Sequence, residues 1–410
     1  MPDTGDQQKA FAEKRRRKNE HLYADPWHRK AARGFERLGK KVSLRLLGKL
    51  LRITPIDGPL PFDQIKSVLF LRSDGIGDAI VTTPLWRALK RRRPDIVIGV
   101  AGSFRNIPIL EADPDVDHTY DFANPDKQRR KAEINRAREM KYDLVFGCAF
   151  HRTTKTAILA RRASPNGYTA YLLRGKPDNR GYLFSKMIFW EVAFESHMTL
   201  QLQHMMEETL GITLDEHEQM PSLHIPPTIL SASKESISEL HRQHKTSSIV
   251  VINTEAASGQ REWGLENACT FAERLIRQHP EVYVALTCSP HHADELNSYL
   301  TTRSLPVNIG YFPTPTIFDA AALISESVLV LSPDTSIIHV ANALQKPVIG
   351  FYIKDNEWKP FHIPSYVFIP KKESPISTVS VDKVLEAAND LLDPNSQTSR
   401  ENLLRLVSDN

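Results

Sequence analysis

Two short stretches put reactive side chains where an extended segment gives way to a helix. In Gly75-Ile76-Gly77-Asp78, two glycines let the backbone turn tightly and leave a carboxylate at the helix start. Exposed N–H groups and the helix dipole favour its ionised form there. Such a group suits a general base, and it suits equally well a first-turn acid that only caps the helix. In Ser332-Pro333-Asp334-Thr335-Ser336, a helical pattern begins at Thr335 and runs to about Leu344. Its free N–H groups would point into one crevice, a setting that fits a diphosphate. Thr335 could donate its hydroxyl to a phosphate, and His339, one turn later on the same face, could reach the same anion. A helix capped by Asp334 or Thr335 with a half-buried histidine accounts for the same residues.

The elements around these stretches repeat one plan. Ile65–Arg72 reads as a buried strand, with a helix from Ala79 to about Arg92 and a second strand over Ile96–Ala101. The glycines resemble a dinucleotide fingerprint poorly, because Ile80 fills the third glycine position and Asp78 stands where a pyrophosphate would sit. Tyr142–Gly147 is another strand, and the loop after it carries Arg152 and Lys155, which could hold carboxylate or phosphate or stand as a solvated pair. Arg180–Ile212 reads as helices, with Trp190, Phe194 and Leu202 in the core. The proline-bearing Met220–Ile229 is the best boundary. Beyond it come a strand at Ser247–Asn253, a helix at Trp263–Gln278, a strand at Val282–Thr287 and a helix at His291–Leu300. Strands and helices alternating in both halves predict an α/β protein of two doubly wound, Rossmann-like parallel-sheet domains, 64–222 and 223–410, facing each other.

The chain has 410 residues, ample for two cores and an extension, and its 41% hydrophobic and 25% charged residues are ordinary for a water-soluble protein. No run approaches the roughly 18 apolar residues of a membrane span. The polar start, lacking a secretory core, and three widely spaced cysteines predict a cytoplasmic protein. The net charge of +4 is uneven: residues 1–52 hold 15 Lys+Arg against 6 Asp+Glu, a net of +9. Within this basic extension, 1–63, Arg33, Arg37, Lys41, Arg45 and Lys49 recur every fourth residue beside a second stripe of Phe35, Leu38, Val42, Leu46, Leu47, Leu50 and Leu51. That pattern predicts a basic amphipathic helix ending near Pro55. Residues 14–52 could lie on an anionic membrane, pack on the body of the protein or bind a partner; a nucleic-acid partner is not expected. There is no zinc spacing, Gly-x-Ser-x-Gly elbow or P-loop, so neither a metal nor a cofactor is expected.

The stretch Asp334 to Leu344, with Pro347 beyond it, resembles the D-T-G-x-x-H-x-A-x-A-x-x-x-P signature of family 9 glycosyltransferases, the bacterial heptosyltransferases of the lipopolysaccharide inner core. Ser336 stands where the family usually has glycine. Arg72 to Asp78, with Thr82, Thr83 and Pro84, resembles the family's first motif. The resemblance implies a GT-B fold. It also implies inverting transfer of heptose from ADP-heptose to the lipopolysaccharide core at the inner face of the inner membrane. Asp78 would be the catalytic base. The loop Thr254 to Trp263 resembles the family's segment ending in Lys/Arg-x-Trp, which puts Thr254 and Arg261 at donor phosphate. Ser289, Asp334, Thr335, Ser336 and His339 would complete the donor site, with Gly75, Gly77, Arg152 and Lys155 on the acceptor side. The family's Asp-x-x-Gly pattern near Arg152 is not kept. An epimerase on the same plan, a transferase using another nucleotide sugar, and a catalytically silent binding protein are the other readings.

Overall fold

The computed structural model describes residues 42–149, 153–174, 179–190, 197–371, 374–393 and 404–408. The first half is a parallel sheet of β1 (Ser67–Leu71), β2 (Val97–Gly102), β3 (His118–Asp121), β4 (Leu144–Gly147), β5 (Tyr168–Arg174) and β6 (Lys186–Trp190), in the order β3-β2-β1-β4-β5-β6. The second is a parallel sheet of β7 (Ser248–Asn253), β8 (Val282–Thr287), β9 (Ile309–Tyr311), β10 (Leu329–Pro333), β11 (Val348–Phe351), β12 (Ser365–Ile369) and β13 (Leu404–Ser408), in the order β13-β12-β11-β10-β7-β8-β9. Both are doubly wound, as the alternation predicts.

The central strands explain the arrangement. β1 and β10 are buried throughout, as strands covered by helices on both faces must be. Around the first sheet pack α2 (Ile76–Arg92), α3 (Ile107–Glu111), α4 (Lys127–Glu139), α5 (Thr153–Ala163) and α6 (Met198–Leu210), preceded by α1 (42–50). Around the second pack α7 (Pro227–His244), α8 (Leu265–Gln278), α9 (Ala293–Thr302), α10 (Ile317–Ser325), α11 (Ser336–Ala343) and α12 (Val381–Leu392). Each sheet's first strand has its neighbours in register on both sides: Val68 to Leu71 lie opposite Ile98 to Ala101 and Leu144 to Gly147. One apolar cluster runs from Val68 and Phe70 through α2 to Ile338, Val251 and Val330, so the two halves share a core where α2 meets α11.

Two expectations change. Lys186–Trp190 is an edge strand rather than part of a helix, since a short apolar run has no period to separate the two. Leu202 is buried on α6 as expected, while Phe194 lies outside the described residues. The boundary segment is extended only as far as Pro226, where the α7 helix begins with Pro227 in its first turn, a position that wastes no hydrogen bond. Of the amphipathic N-terminal helix, the described part is 42–50; the remainder of 1–63 before it lies outside the described residues. No helix among the described residues is long and apolar enough to cross a membrane.

Candidate functional site

Asp78 occupies the third position of α2, directly beyond the carboxyl end of β1. Its Oδ2 accepts the Gly75 N–H at 2.9 Å, closing the first turn, and Oδ1 receives Nη2 of Arg72 at 3.3 Å. Arg72 directly follows β1 and is fully buried. Its Nε donates to the Asp78 carbonyl at 2.8 Å, and Nη1 bonds Asp74 at 3.1 Å and the Cys148 carbonyl. Asn106 holds the loop from behind through the carbonyls of Arg72 and Gly75. The guanidinium also lies 5.9 Å from the ring of Trp358, a residue of the second half. The carboxylate is therefore fixed from below and keeps 27% of its side chain open.

On the facing side, β10 delivers the chain to Thr335, the N-cap of α11, whose hydroxyl accepts the Ile337 N–H at 3.3 Å. Asn253, at the end of β7, ties this cap down by donating to Thr335 Oγ1 at 3.2 Å and Ser332 Oγ at 3.0 Å. Beside the cap opens a cavity of about 370 Å³, within the size range of small-ligand sites. Its lining includes Asn253, Glu255, Ser289, Thr335 and Ser336 from the second half and Ile76 from the first. Asp78 itself does not line the cavity; the two are linked through α11, which starts at the cavity and whose His339 ring lies against Gly77, next to Asp78.

Glu255 is a wall residue that the sequence did not single out. Ser289 donates its backbone N–H to Oε2 at 2.7 Å, and His292 Nδ1 is 2.9 Å from Oε1. Burial alone would push this carboxyl up, but the Ser289 bonds and His292 hold it below its usual value. Thr254, by contrast, gives its hydroxyl to the Thr287 carbonyl at 3.0 Å and is not among the lining residues. Side chains alternate along an extended segment, so Asn253 and Glu255 face the cavity and the residue between them faces away.

His339 also stands apart from the expected geometry. Its ring lies against Gly77, where an added Cβ would come within 2.3 Å of the imidazole, and edge-on to Trp358 at 5.9 Å. Burial drives its pKa down to about 4, with Asp78 pulling it up and Arg72 pushing it down. It therefore faces the Asp78 side as a neutral imidazole instead of serving as a cation at the helix end. Arg261 reaches Asp334, bonding the carboxylate at 2.8 Å and the backbone carbonyl at 2.7 Å. Burial raises the Asp334 carboxyl while Arg261 opposes the shift. Trp263 is buried, stacks on Phe351 at 4.8 Å and donates to the Val379 carbonyl, which anchors the loop before α8. Gly75 and Gly77 both sit at the crevice, Lys155 is exposed on the first turn of α5, and Arg152 lies outside the described residues.

A pair of Rossmann-like halves with a ligand-sized cavity at their junction is the GT-B plan of glycosyltransferases. A family model, glycosyltransferase family 9 (heptosyltransferase), matches residues 135–366, more than half of the chain. The chain belongs to that family and is a glycosyltransferase. It is 25% identical over 306 residues to lipopolysaccharide heptosyltransferase 3 of Escherichia coli, covering 70% of this chain and 83% of that protein. The crystal structure of the family 9 glycosyl transferase from Veillonella parvula superposes with a TM-score of 0.66 at 17% identity, covering 82% of this chain and 99% of that one. The E. coli heptosyltransferase WaaC with ADP-2-deoxy-2-fluoro heptose gives 0.60 at 16% identity, covering 79% and 99%.

Proposed function

We propose that this enzyme transfers heptose from ADP-heptose to a hydroxyl of the lipopolysaccharide core with inversion at the anomeric carbon. The observation that carries the reading is the packing of α2 on α11: Ile76 lines the cavity at the start of α11, and one turn on the His339 ring lies against Gly77, beside Asp78. Residues 64–222 then form the acceptor domain and 223–410 the donor domain. The diphosphate lies at the Thr335–Ser336 helix start, where backbone N–H groups point outward. Arg261, hydrogen-bonded to Asp334, turns to the diphosphate as negative charge grows on it. Asp78 takes the proton from the acceptor hydroxyl as that oxygen attacks C1, and the C1–O bond to phosphate breaks with its electron pair leaving on ADP. One displacement at C1 inverts its configuration. His339, neutral, lines the sugar side without adding charge, and Glu255 accepts hydrogen bonds from hydroxyls of the donor.

The names of the relatives support a lipopolysaccharide acceptor, and the acceptor places the enzyme at the inner face of the inner membrane, with the basic residues 14–52 toward anionic lipid. Release of ADP from ADP-heptose, measured with core-truncated lipopolysaccharides as acceptors, tests the reading. Turnover with one of them supports it; ADP binding without turnover on any of them refers the enzyme to another acceptor, and turnover only with a different nucleotide sugar refers it to another donor.

A further inference from the structure

Helix α1 has two apolar sides, and among the described residues only one of them is packed. On the inner side Leu44, with Leu47 and Leu51, packs on Tyr171, Leu173, Leu183 and Phe184. Gly48 lets the helix come close: a Cβ there would stand 2.2 Å from the Tyr182 carbonyl oxygen. The seat is thus specific. On the outer side Val42, Leu46 and Leu50, four residues apart and so on one stripe, are 49%, 61% and 79% exposed. Arg45, Lys49 and Arg52 are exposed beside that stripe. The flanking sequence adds to the same charge, since residues 29–52 hold nine Lys+Arg and a single acid, Glu36.

From this geometry we propose that the Val42–Leu46–Leu50 stripe of α1 is a contact surface for a bilayer of anionic lipid, docked so as to set the acceptor side of the enzyme next to the headgroups. An apolar stripe bordered by cations on one side of a seated helix matches the interface of an anionic membrane, with acyl chains for the leucines and headgroup charge for the basic residues. The seat also explains the placement. Tyr171 stacks on Phe184 at 4.6 Å beneath α1, and its hydroxyl donates to the Ala149 carbonyl at 3.0 Å and meets Thr153 Oγ1 at 3.5 Å. Thr153 opens α5, which carries Lys155 in its first turn, so one tyrosine joins the membrane helix to that helix. This second step rests on the acceptor assignment made above; the lipid contact itself does not.

The test is flotation of the full chain with vesicles of phosphatidylcholine, alone or mixed with phosphatidylglycerol. Wild type floats with the mixed vesicles and not with the neutral ones. Leu46→Glu/Leu50→Glu weakens that binding by about tenfold or more, and Arg45→Gln/Lys49→Gln by about fivefold per charge. Melting temperature and ADP affinity stay unchanged in both, and Leu46→Ser/Leu50→Ser repeats the test if the glutamates lower the melting temperature. Wild type failing to float with anionic vesicles overturns the proposal, as does equal flotation of the leucine variants. A mass that halves in the leucine variants, with no flotation by wild type, assigns the stripe to a second copy of the chain and also overturns it. The leucine variants should keep full turnover on a water-soluble, deacylated acceptor. Flotation as predicted with no turnover on any of these acceptors would overturn the acceptor assignment and leave the lipid surface standing.

Discussion

The Arg72 guanidinium grips Asp78 twice, through the backbone carbonyl at 2.8 Å and the carboxylate at 3.3 Å, from a position with no exposure to solvent. The strand end and the helix start are thereby one unit, and the carboxylate cannot turn away from the crevice without breaking the grip. Arg72→Met should therefore cost stability as well as activity, by about 2–3 kcal/mol, because Asp74, Asp78 and the Cys148 carbonyl each lose a charged hydrogen bond. Urea unfolding would check it. A loss below about 1 kcal/mol would mean that the pairing has little structural weight.

Gly77→Ala sets two effects against each other. Alanine favours a helix over glycine by about 1 kcal/mol, but the new Cβ would stand 2.3 Å from a ring that Trp358 closes in from another side. Overpacking of this kind costs about 1–3 kcal/mol, so the net change should be destabilising and turnover should fall. Adding His339→Ala should restore most of the lost stability, and a double-mutant cycle measures it. Strict additivity of the two changes would contradict the contact.

Two histidines make stability depend on pH. Burial lowers His339 to about 4 and His197, stacked on Phe361 at 4.4 Å, to about 3. Between those values and the ordinary imidazole value near 6.5, the unfolded chain binds more protons than the folded one, so stability is complete above about pH 6.5 and falls as the pH drops. Each histidine should remove about 2 kcal/mol by pH 5. Denaturation midpoints at pH 7 and pH 5 would show the loss, and His339→Gln should shrink it. A midpoint insensitive to pH over that range would contradict the buried, neutral state.

Thr335 and Thr254 offer a paired test of the donor site. Thr335→Val removes the α11 cap, which should cost about 1 kcal/mol of stability, and weakens ADP binding. Thr254→Val should leave ADP affinity within about twofold, because that hydroxyl already serves the Thr287 carbonyl. Calorimetric titration of both variants with ADP decides between them; equal losses would place Thr254 at the nucleotide after all.

Local pattern carried much of this organisation. β1 and β10 are continuous apolar runs that stop at small or polar residues, so both helix starts, with Asp78 and Thr335, were legible before any contact was known. Helix α7 was not legible, because Ile237 is its one fully buried residue and the stripe around it is thin. The sequence points to Thr254 rather than Glu255, since alternation beyond β7 does not say which of its two sides faces a cavity. The approach of Trp358 to Arg72 and His339, nearly 300 residues from one and 19 from the other in sequence, has no local signature at all. Contacts between halves arise only when both sheets are in place.

The most direct measurement is ADP release from ADP-heptose by wild type and Asp78→Asn, with ADP affinity measured on the same samples. The account predicts that the substitution lowers turnover by about 10²–10⁴-fold, the share of a positioned general base, while ADP binds as before. Turnover in Asp78→Asn equal to wild type would contradict it.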